Sequence, residues 1–194
     1  MAAGLCAFIF GVLDSAFKGD GSGLLGALGQ TAAPWILLAF VAGAVTSERR
    51  LVVGAGTGLL ATLLALMGFY VVNSLMFYAG PTSWLTDFHL AILTGPQYFI
   101  IGSLSGPIFG ALGAWWRQHL SIVPVIGVGM IFIVEALVQA IFVRSFDPHE
   151  APLAVIEAGM GIMWIFFTLN VTKMLRQRTD VDQTRLTNWS NHSA

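Results

Sequence analysis

Apolar stretches separated by charged and turn-forming residues dominate the chain. Crossing the hydrocarbon core of a bilayer, about 30 Å thick, takes roughly 20 helical residues, so the pattern predicts six transmembrane helices. They correspond to residues 2–17, 34–46, 51–79, 90–116, 120–143 and 153–174, with a polar loop over 80–89. We predict an all-α, polytopic membrane helix bundle: a single six-helix domain over residues 1–174, followed by a polar cytoplasmic tail over residues 175–194.

The first two stretches are the least regular of the six. Residues 2–17 are short for a span, and a cleaved signal peptide is the rival interpretation. A signal peptide carries positive charge before its apolar run; none is present here, and Asp14 interrupts the apolar end. Residues 21–30 are rich in glycine and predict a loop or re-entrant segment. The second helix therefore crosses the membrane only if it recruits residues from Leu24 onward.

Basic residues are distributed unequally between the two predicted sides of the membrane. Of the 9 Lys and Arg residues, only Lys18 and Arg144 lie on the side opposite the N terminus. The others are Arg49, Arg50, Arg117, Lys173, Arg176, Arg178 and Arg185. Cytoplasmic loops of membrane proteins carry an excess of Lys and Arg. We therefore expect both termini in the cytoplasm and a multi-pass protein of a cell membrane, most simply a bacterial plasma membrane.

Composition narrows the class of protein further. The chain is 56% hydrophobic and only 10% charged, whereas soluble domains carry about 25% charged residues. This balance excludes an ordinary soluble enzyme and a disordered chain, and a net charge of -1 gives no basic excess for nucleic acid. The single cysteine, Cys6, makes neither an internal disulfide nor a paired-cysteine metal site. We expect the lipid bilayer as a partner, and neither a metal nor a cofactor.

Small residues recur at helical spacing on the first and fourth predicted helices. They are Ala3 and Ala7 on the first helix, and Gly102, Gly106 and Gly110 on the fourth. Residues four apart share one helix face, where missing side chains let another backbone approach closely. That face is either a docking surface for a partner or a site of static packing within the bundle. Gly95-Pro96 and Gly106-Pro107 are expected to break or kink the fourth helix, because proline removes a backbone hydrogen bond.

Polar residues within the apolar stretches fall mostly in the half of the bilayer away from the cytoplasm. They are Asp14, Gln30, Asn73, Gln97, Tyr98, Glu135, Gln139 and Glu157. Ionisable groups at membrane depth are expensive and by default indicate a functional site. We therefore predict a polar, outward-facing pocket in which Glu135 binds a polar or cationic group and the amides orient the ligand.

Each acidic residue also has a simpler interpretation. Asp14 has Lys18 four residues away, a spacing that forms ion pairs on helices. Glu157 is either solvated near the interface or paired with Arg144. Glu135 lies about eight residues from the nearest loop, and when protonated it would hydrogen-bond to a neighbouring helix as a structural contact.

Enzymatic chemistry is not indicated. Ser105-Gly106 on the fourth helix superficially matches the nucleophile of rhomboid-type intramembrane proteases, but that chemistry needs a histidine base within reach of the serine. The 4 histidines fall in predicted loops or the tail. We expect a protein that is not an enzyme.

Short motifs between Gln30 and Glu135 resemble an uncharacterised family of small actinobacterial membrane proteins. They are Gly29-Gln30, Pro34-Trp35 followed by Ala39-Phe40 and Gly43, Gly68-Phe-Tyr70, Gly106-Pro-Ile-Phe-Gly110, and Glu135-Ala136. The resemblance covers about half of the chain. It implies a compact polytopic bundle and carries no established activity.

The chain length, the six predicted helices and the Gly-Pro-x-x-Gly run also look like the substrate-binding subunits of energy-coupling-factor transporters. This similarity implies an outward-opening pocket for a small solute and a coupling subunit that docks on small residues of the first helix, here Ala3 and Ala7. The first hypothesis is therefore a small-solute-binding membrane subunit, part of a transporter. The alternative is a non-catalytic structural or assembly subunit of a larger membrane complex.

Overall fold

The computed structural model describes residues 2–18, 31–46, 50–77, 83–143 and 151–192; side chains are described for all of these except 2, 3, 77, 142, 143, 151 and 178–192. Within these ranges the chain forms seven α-helices and one π-helical turn, and no strand. The α-helices are α1 (Ala2–Lys18), α2 (Ala33–Ala44), α3 (Leu51–Phe77), α4 (Trp84–Thr94), α5 (Pro96–His119), α6 (Val123–Val138) and α7 (Ala151–His192). The π turn, Gln139–Val143, continues α6.

Four of these helices are long and apolar enough to cross a membrane. The qualifying segments are Leu51–Met76, Pro96–His119, Val123–Ile141 and Pro152–Gln177. Large apolar side chains on them face outward: Leu60, Ile101 and Phe166 are 56%, 61% and 70% exposed. Such a surface is unfavourable in water and suited to lipid, as in a multi-pass membrane protein.

The fourth predicted apolar stretch and the loop before it differ from the structure. The fourth apolar stretch is two helices, because the chain breaks at Gly95 and restarts with Pro96 at the beginning of α5. The buried hydroxyl of Tyr70 donates to the carbonyl of Gly95 at 3.0 Å, which satisfies an acceptor at the break. The sequence also predicts a break or kink at Gly106-Pro107. The helix is not broken there, since Pro107 lies inside α5. The predicted loop is also shorter, since α4 begins at Trp84.

Glycines set the packing of the central pair of helices, α3 and α5. Any β-carbon on Gly110 would overlap the carbonyl oxygen of Gly54, and one on Gly58 would overlap that of Gly106. The two backbones therefore touch directly. The same kind of contact joins α1 to α3, where Gly11 lies against the carbonyl of Ala65.

Helices α6 and α7 form a hairpin that packs on the remaining helices through aromatic and aliphatic side chains. Within the hairpin, Gly129 and Gly161 lie against each other. Val125, Val128 and Phe132 of α6 form a buried cluster with Ala33 and Phe40 of α2. Trp116 of α5 packs against this cluster and donates its indole N–H to the hydroxyl of Thr172 of α7 at 3.1 Å.

Basic residues of several helices lie at one end of the bundle, which we call the basic end. Arg50 directly precedes α3, and Arg117 lies in the last turn of α5. These two helix ends meet, because Gly54 faces Ala114. Arg176 of α7 donates to the carbonyl of Leu120 at 2.7 Å and so lies at the same end. The grouping agrees with the charge asymmetry of the sequence. Arg49 and Arg144 lie outside the described residues.

The last helix is longer than one span. It continues through 42 residues, so the expected boundary between bundle and tail, after residue 174, falls within continuous helix.

Candidate functional site

Glu135 joins α6 to the beginning of α2. Its two carboxylate oxygens accept hydrogen bonds from the backbone N–H groups of Ala32 at 2.6 Å and Ala33 at 2.8 Å. The first N–H groups of a helix have no partner within the helix, and no local side chain caps α2. A carboxylate at this position satisfies those donors and interacts favourably with the helix dipole. Glu135 therefore caps a helix that lies about a hundred residues earlier in the sequence.

Glu157, in α7, lies beside Glu135. Its side chain is only 2% exposed, and neither carboxyl oxygen makes a hydrogen bond to any residue that the structure describes. Gly161 of α7 lies against Phe132 and Ile133 of α6, so Glu157, one turn earlier on α7, faces the turn of α6 that carries Glu135. The structure thus brings two of the predicted ligand candidates together. We call Glu135 and Glu157 the acid pair.

The remaining ligand candidates are dispersed. Gln139 is half-buried in the first position of the π turn. Asn73 is half-buried on α3, and Gln97 and Tyr98 are exposed in the first turn of α5. No hydrogen bond between described residues joins any of them to the acid pair. Gln30 lies outside the described residues.

Asp14 lies beside the indole of Trp35 and the ammonium group of Lys18. Lys18 in turn stands 5.3 Å from the centroid of the Phe69 ring. Asp14 and Lys18 form no ion pair in the described part of the chain, so the pairing expected from their spacing stays a prediction. Its Oδ2 atom is buried, with no hydrogen bond to a described residue.

The small residues singled out as a docking surface lie inside the bundle. Gly102, Gly106 and Gly110 are buried against α3, where Thr62 and Gly58 are their neighbours. Ala7 is fully buried, and the side chain of Ala3 is not among those described. The glycine face of α5 therefore packs within this chain.

A cavity of about 650 Å³ opens between α2, α5 and α7 near the basic end. Its lining is mainly aromatic and aliphatic: Phe40, Val41, Ala44, Val45, Thr46, Trp116, Arg117, Trp164, Phe167, Thr168 and Val171. None of the described ligand candidates from the sequence lines it. We call this space the aromatic cavity.

One residue in the aromatic cavity offers hydrogen-bond donors to a ligand, and it is Arg117, the charged residue of the lining. The indole Nε1 of Trp164 has no hydrogen-bond partner among the described residues, but it is buried and does not reach the cavity surface. The hydroxyl of Thr168 already donates to the carbonyl of Trp164 at 2.7 Å. The cavity thus combines apolar walls with one cationic donor group and suits a molecule with an apolar body and an anionic acceptor group.

Rigid aromatic packing shapes the cavity wall. The ring of Phe40 meets that of Trp164 edge-on, with centroids 5.8 Å apart, and lies 6.0 Å from that of Trp116. Such ring pairs are favourable beyond the area they bury. These ring contacts therefore stabilise the arrangement of Phe40, Trp116 and Trp164 along the wall.

Sequence reasoning missed this cavity, although a signal for it exists. Trp164, Phe167, Thr168 and Val171 are spaced i, i+3, i+4 and i+7, so they form one face of α7. A face on one helix, however, does not reveal whether the facing helices fill the space opposite it.

The described residues contain no group of three His, Cys, Asp or Glu side chains placed to hold a metal ion. Comparison with known proteins gives one match. Residues 1–181 match the model of a family described as a family of unknown function, DUF6518. No curated protein and no solved structure matches the chain. The comparisons thus give no support to an actinobacterial origin or to the similarity with energy-coupling-factor subunits.

Proposed function

The chain belongs to this family of unknown function, and we propose that it is a membrane protein that binds a small amphipathic organic anion in the aromatic cavity. The observation that carries the proposal is the cavity itself. Sites for small molecules typically occupy about 300 to 1,000 Å³ and combine apolar walls with a few placed polar groups. The volume of about 650 Å³ falls within that range.

The lining selects the chemical class of the ligand. Trp116, Trp164 and Phe167 suit a planar or branched apolar body, since aromatic side chains supply large contact areas. Arg117 favours a carboxylate or phosphate, which its guanidinium recognises in bidentate geometry. A cationic ligand would meet Arg117 without a compensating acid in the lining.

The charge asymmetry of the sequence gives the direction of access. Under the positive-inside rule the basic end faces the cytoplasm, so the aromatic cavity would receive its ligand from the cytoplasmic side of a bacterial plasma membrane. The outward-facing polar pocket stays a prediction for the opposite end. The proposal involves binding without catalysis. Movement of the ligand across the membrane would need a coupling subunit or an ion gradient, since the chain carries no nucleotide-binding motif.

Thermal unfolding of the full chain in detergent tests the proposal. A panel of amphipathic carboxylates and phosphates should contain compounds that raise the unfolding temperature of the wild type. Arg117→Gln should abolish the shift, because it removes the charge but little volume. Val171→Trp should do the same by filling the cavity. Arg50→Gln is the matched control, because Arg50 lies at the same end outside the lining.

Native mass spectrometry of the protein purified from its host separates the two functional hypotheses. A bound small molecule that is lost in Arg117→Gln and retained in Arg50→Gln supports the binding protein. A ligand-free mass with stoichiometric protein partners supports the alternative, a structural or assembly subunit of a membrane complex. In the thermal-unfolding experiment, ligand-induced increases of the unfolding temperature that persist in both Arg117→Gln and Val171→Trp would exclude the aromatic cavity as the binding site.

A further inference from the structure

The acid pair forms a continuous polar connection between three helices. The register of α6 and α7, in which Gly161 lies against Phe132 and Ile133, places Glu157 beside Glu135, and Glu135 accepts hydrogen bonds from the N–H groups of Ala32 and Ala33 at the beginning of α2. The carboxylate oxygens of Glu135 are thus occupied by backbone donors, whereas those of Glu157 have no described partner. This difference gives the two acids distinct roles.

Two ionised carboxylates side by side at membrane depth repel each other, and the buried one, Glu157, also loses its hydration. Each oxygen of Glu135 accepts a hydrogen bond from a backbone N–H group at the beginning of α2. Glu157 accepts no hydrogen bond from the described residues, and its side chain is only 2% exposed. The neutral form of Glu157 is therefore the one that fits this position.

We propose that the acid pair is a proton-binding site, in which Glu157 carries a proton and donates it toward the carboxylate of Glu135. The proton comes from water and returns to water, so no other reactant is needed. When bound, it connects α7 to α6 and, through Glu135, to α2. Its loss places two negative charges across the contact between α6 and α7, so separation of the hairpin at this end is linked to proton release.

The charged surroundings of the pair are limited in the described elements. Glu135 is the charged group that faces Glu157 from α6. The neighbouring residues of α2, Ala32 and Ala33, and the first residue of the π turn, Gln139, are uncharged. Arg144 and His149 belong to the connection between the π turn and α7, which lies outside the described residues. An ion pair between either of them and Glu157 is the rival arrangement that the test must exclude.

Infrared spectroscopy of the full chain in nanodiscs detects a protonated carboxyl directly, through its carbonyl stretch. We expect the wild type at neutral pH to show a band that is lost in Glu157→Gln and retained in Asp14→Asn. Glu135→Gln should shift the band, because the acceptor changes from carboxylate to amide. If Glu157→Gln does not fold, the shift of the band in Glu135→Gln tests the proposal instead.

Thermal unfolding against pH is the second measurement. The folded wild type would hold one proton more than the unfolded chain at neutral pH, so its folding equilibrium constant should fall by up to about tenfold per pH unit as pH rises, until the proton is released. Glu157→Gln should lack this dependence. The proposal is overturned if no band depends on Glu157, or if such a band arises only in Arg144→Gln or His149→Gln, since Glu157 would then be ionised and paired with the loop.

Discussion

The indole N–H of Trp116 donates to the hydroxyl of Thr172 at 3.1 Å, and this bond ties the end of α5 to the middle of α7. The hydroxyl of Thr172 in turn donates to the carbonyl of Thr168 at 2.8 Å. Both Thr168 and Trp116 line the aromatic cavity. The hydrogen bond between Trp116 and Thr172 therefore joins α5 to α7 beside the cavity.

Thr172→Val should destabilise the protein, because it keeps the shape of the side chain and leaves the Trp116 indole without its acceptor. A buried donor left unsatisfied costs about 1 to 3 kcal/mol. Thermal unfolding in detergent measures the loss. Thr57→Val is the control, since the Thr57 hydroxyl bonds only to carbonyls of its own helix. Equal effects of the two substitutions would show that the bond between helices contributes nothing.

Gly110→Ala should lower stability strongly, because the added methyl group has no room against Gly54 and Gly58. Overpacking of this kind costs about 1 to 3 kcal/mol and sometimes more. Gly56→Ala is the matched control on α3, where nothing lies within 4 Å of an added β-carbon. That variant should be neutral or stabilised by up to about 1 kcal/mol, because alanine favours helix over glycine. A tolerated Gly110→Ala would contradict the direct backbone contact between α3 and α5.

Glu135→Ala should loosen the attachment of α6 to α2, since the N–H groups of Ala32 and Ala33 lose their acceptors. The expected cost is about 1 to 3 kcal/mol. Hydrogen exchange of the first turn of α2 should rise in the variant. Gln97→Ala, which removes an exposed side chain from α5, is the control. Unchanged exchange in α2 would argue against the cap.

Leu120→Gly should stabilise the protein. Leu120 follows α5 with φ of 48°, a left-handed conformation that costs a non-glycine residue about 1 to 2 kcal/mol. The carbonyl that accepts from Arg176 belongs to the backbone and is kept. Leu60→Gly, in the middle of α3, should instead destabilise. A lower unfolding temperature in Leu120→Gly would mean that packing of the leucine side chain outweighs the backbone strain.

The sequence predicts much of the helical architecture, because apolar length and turn residues act locally. The break at Gly95-Pro96 and the close-packing face of Gly102, Gly106 and Gly110 were both readable from spacing. The identity of the facing helix was not, since residue spacing on α5 carries no information about α3. The beginning of α4 at Trp84 was not predicted, because the polar residues around Asp87 are typical of a loop.

The site was harder to predict, for a physical reason. Glu135 was recognised as unusual from its depth, but its partners are backbone N–H groups, which every residue except proline possesses. No side-chain pattern marks them. The aromatic cavity arises where three helices fail to fill the space between them, and that depends on their positions rather than on any one segment.

Helix α7 has a consequence for what lies beyond the membrane. Its 42 residues correspond to about 63 Å at 1.5 Å per residue, roughly twice the 30 Å of a hydrocarbon core. Because the apolar span of α7 ends at Gln177, the part of the helix after it, about 22 Å at 1.5 Å per residue, projects beyond the membrane as a stiff rod. Anything bound to its far end is held at a fixed height above the lipid, and its direction follows the tilt of α7 within the bilayer. Movement of the hairpin at membrane depth would thus be converted, by leverage, into a larger displacement at the tip of the rod.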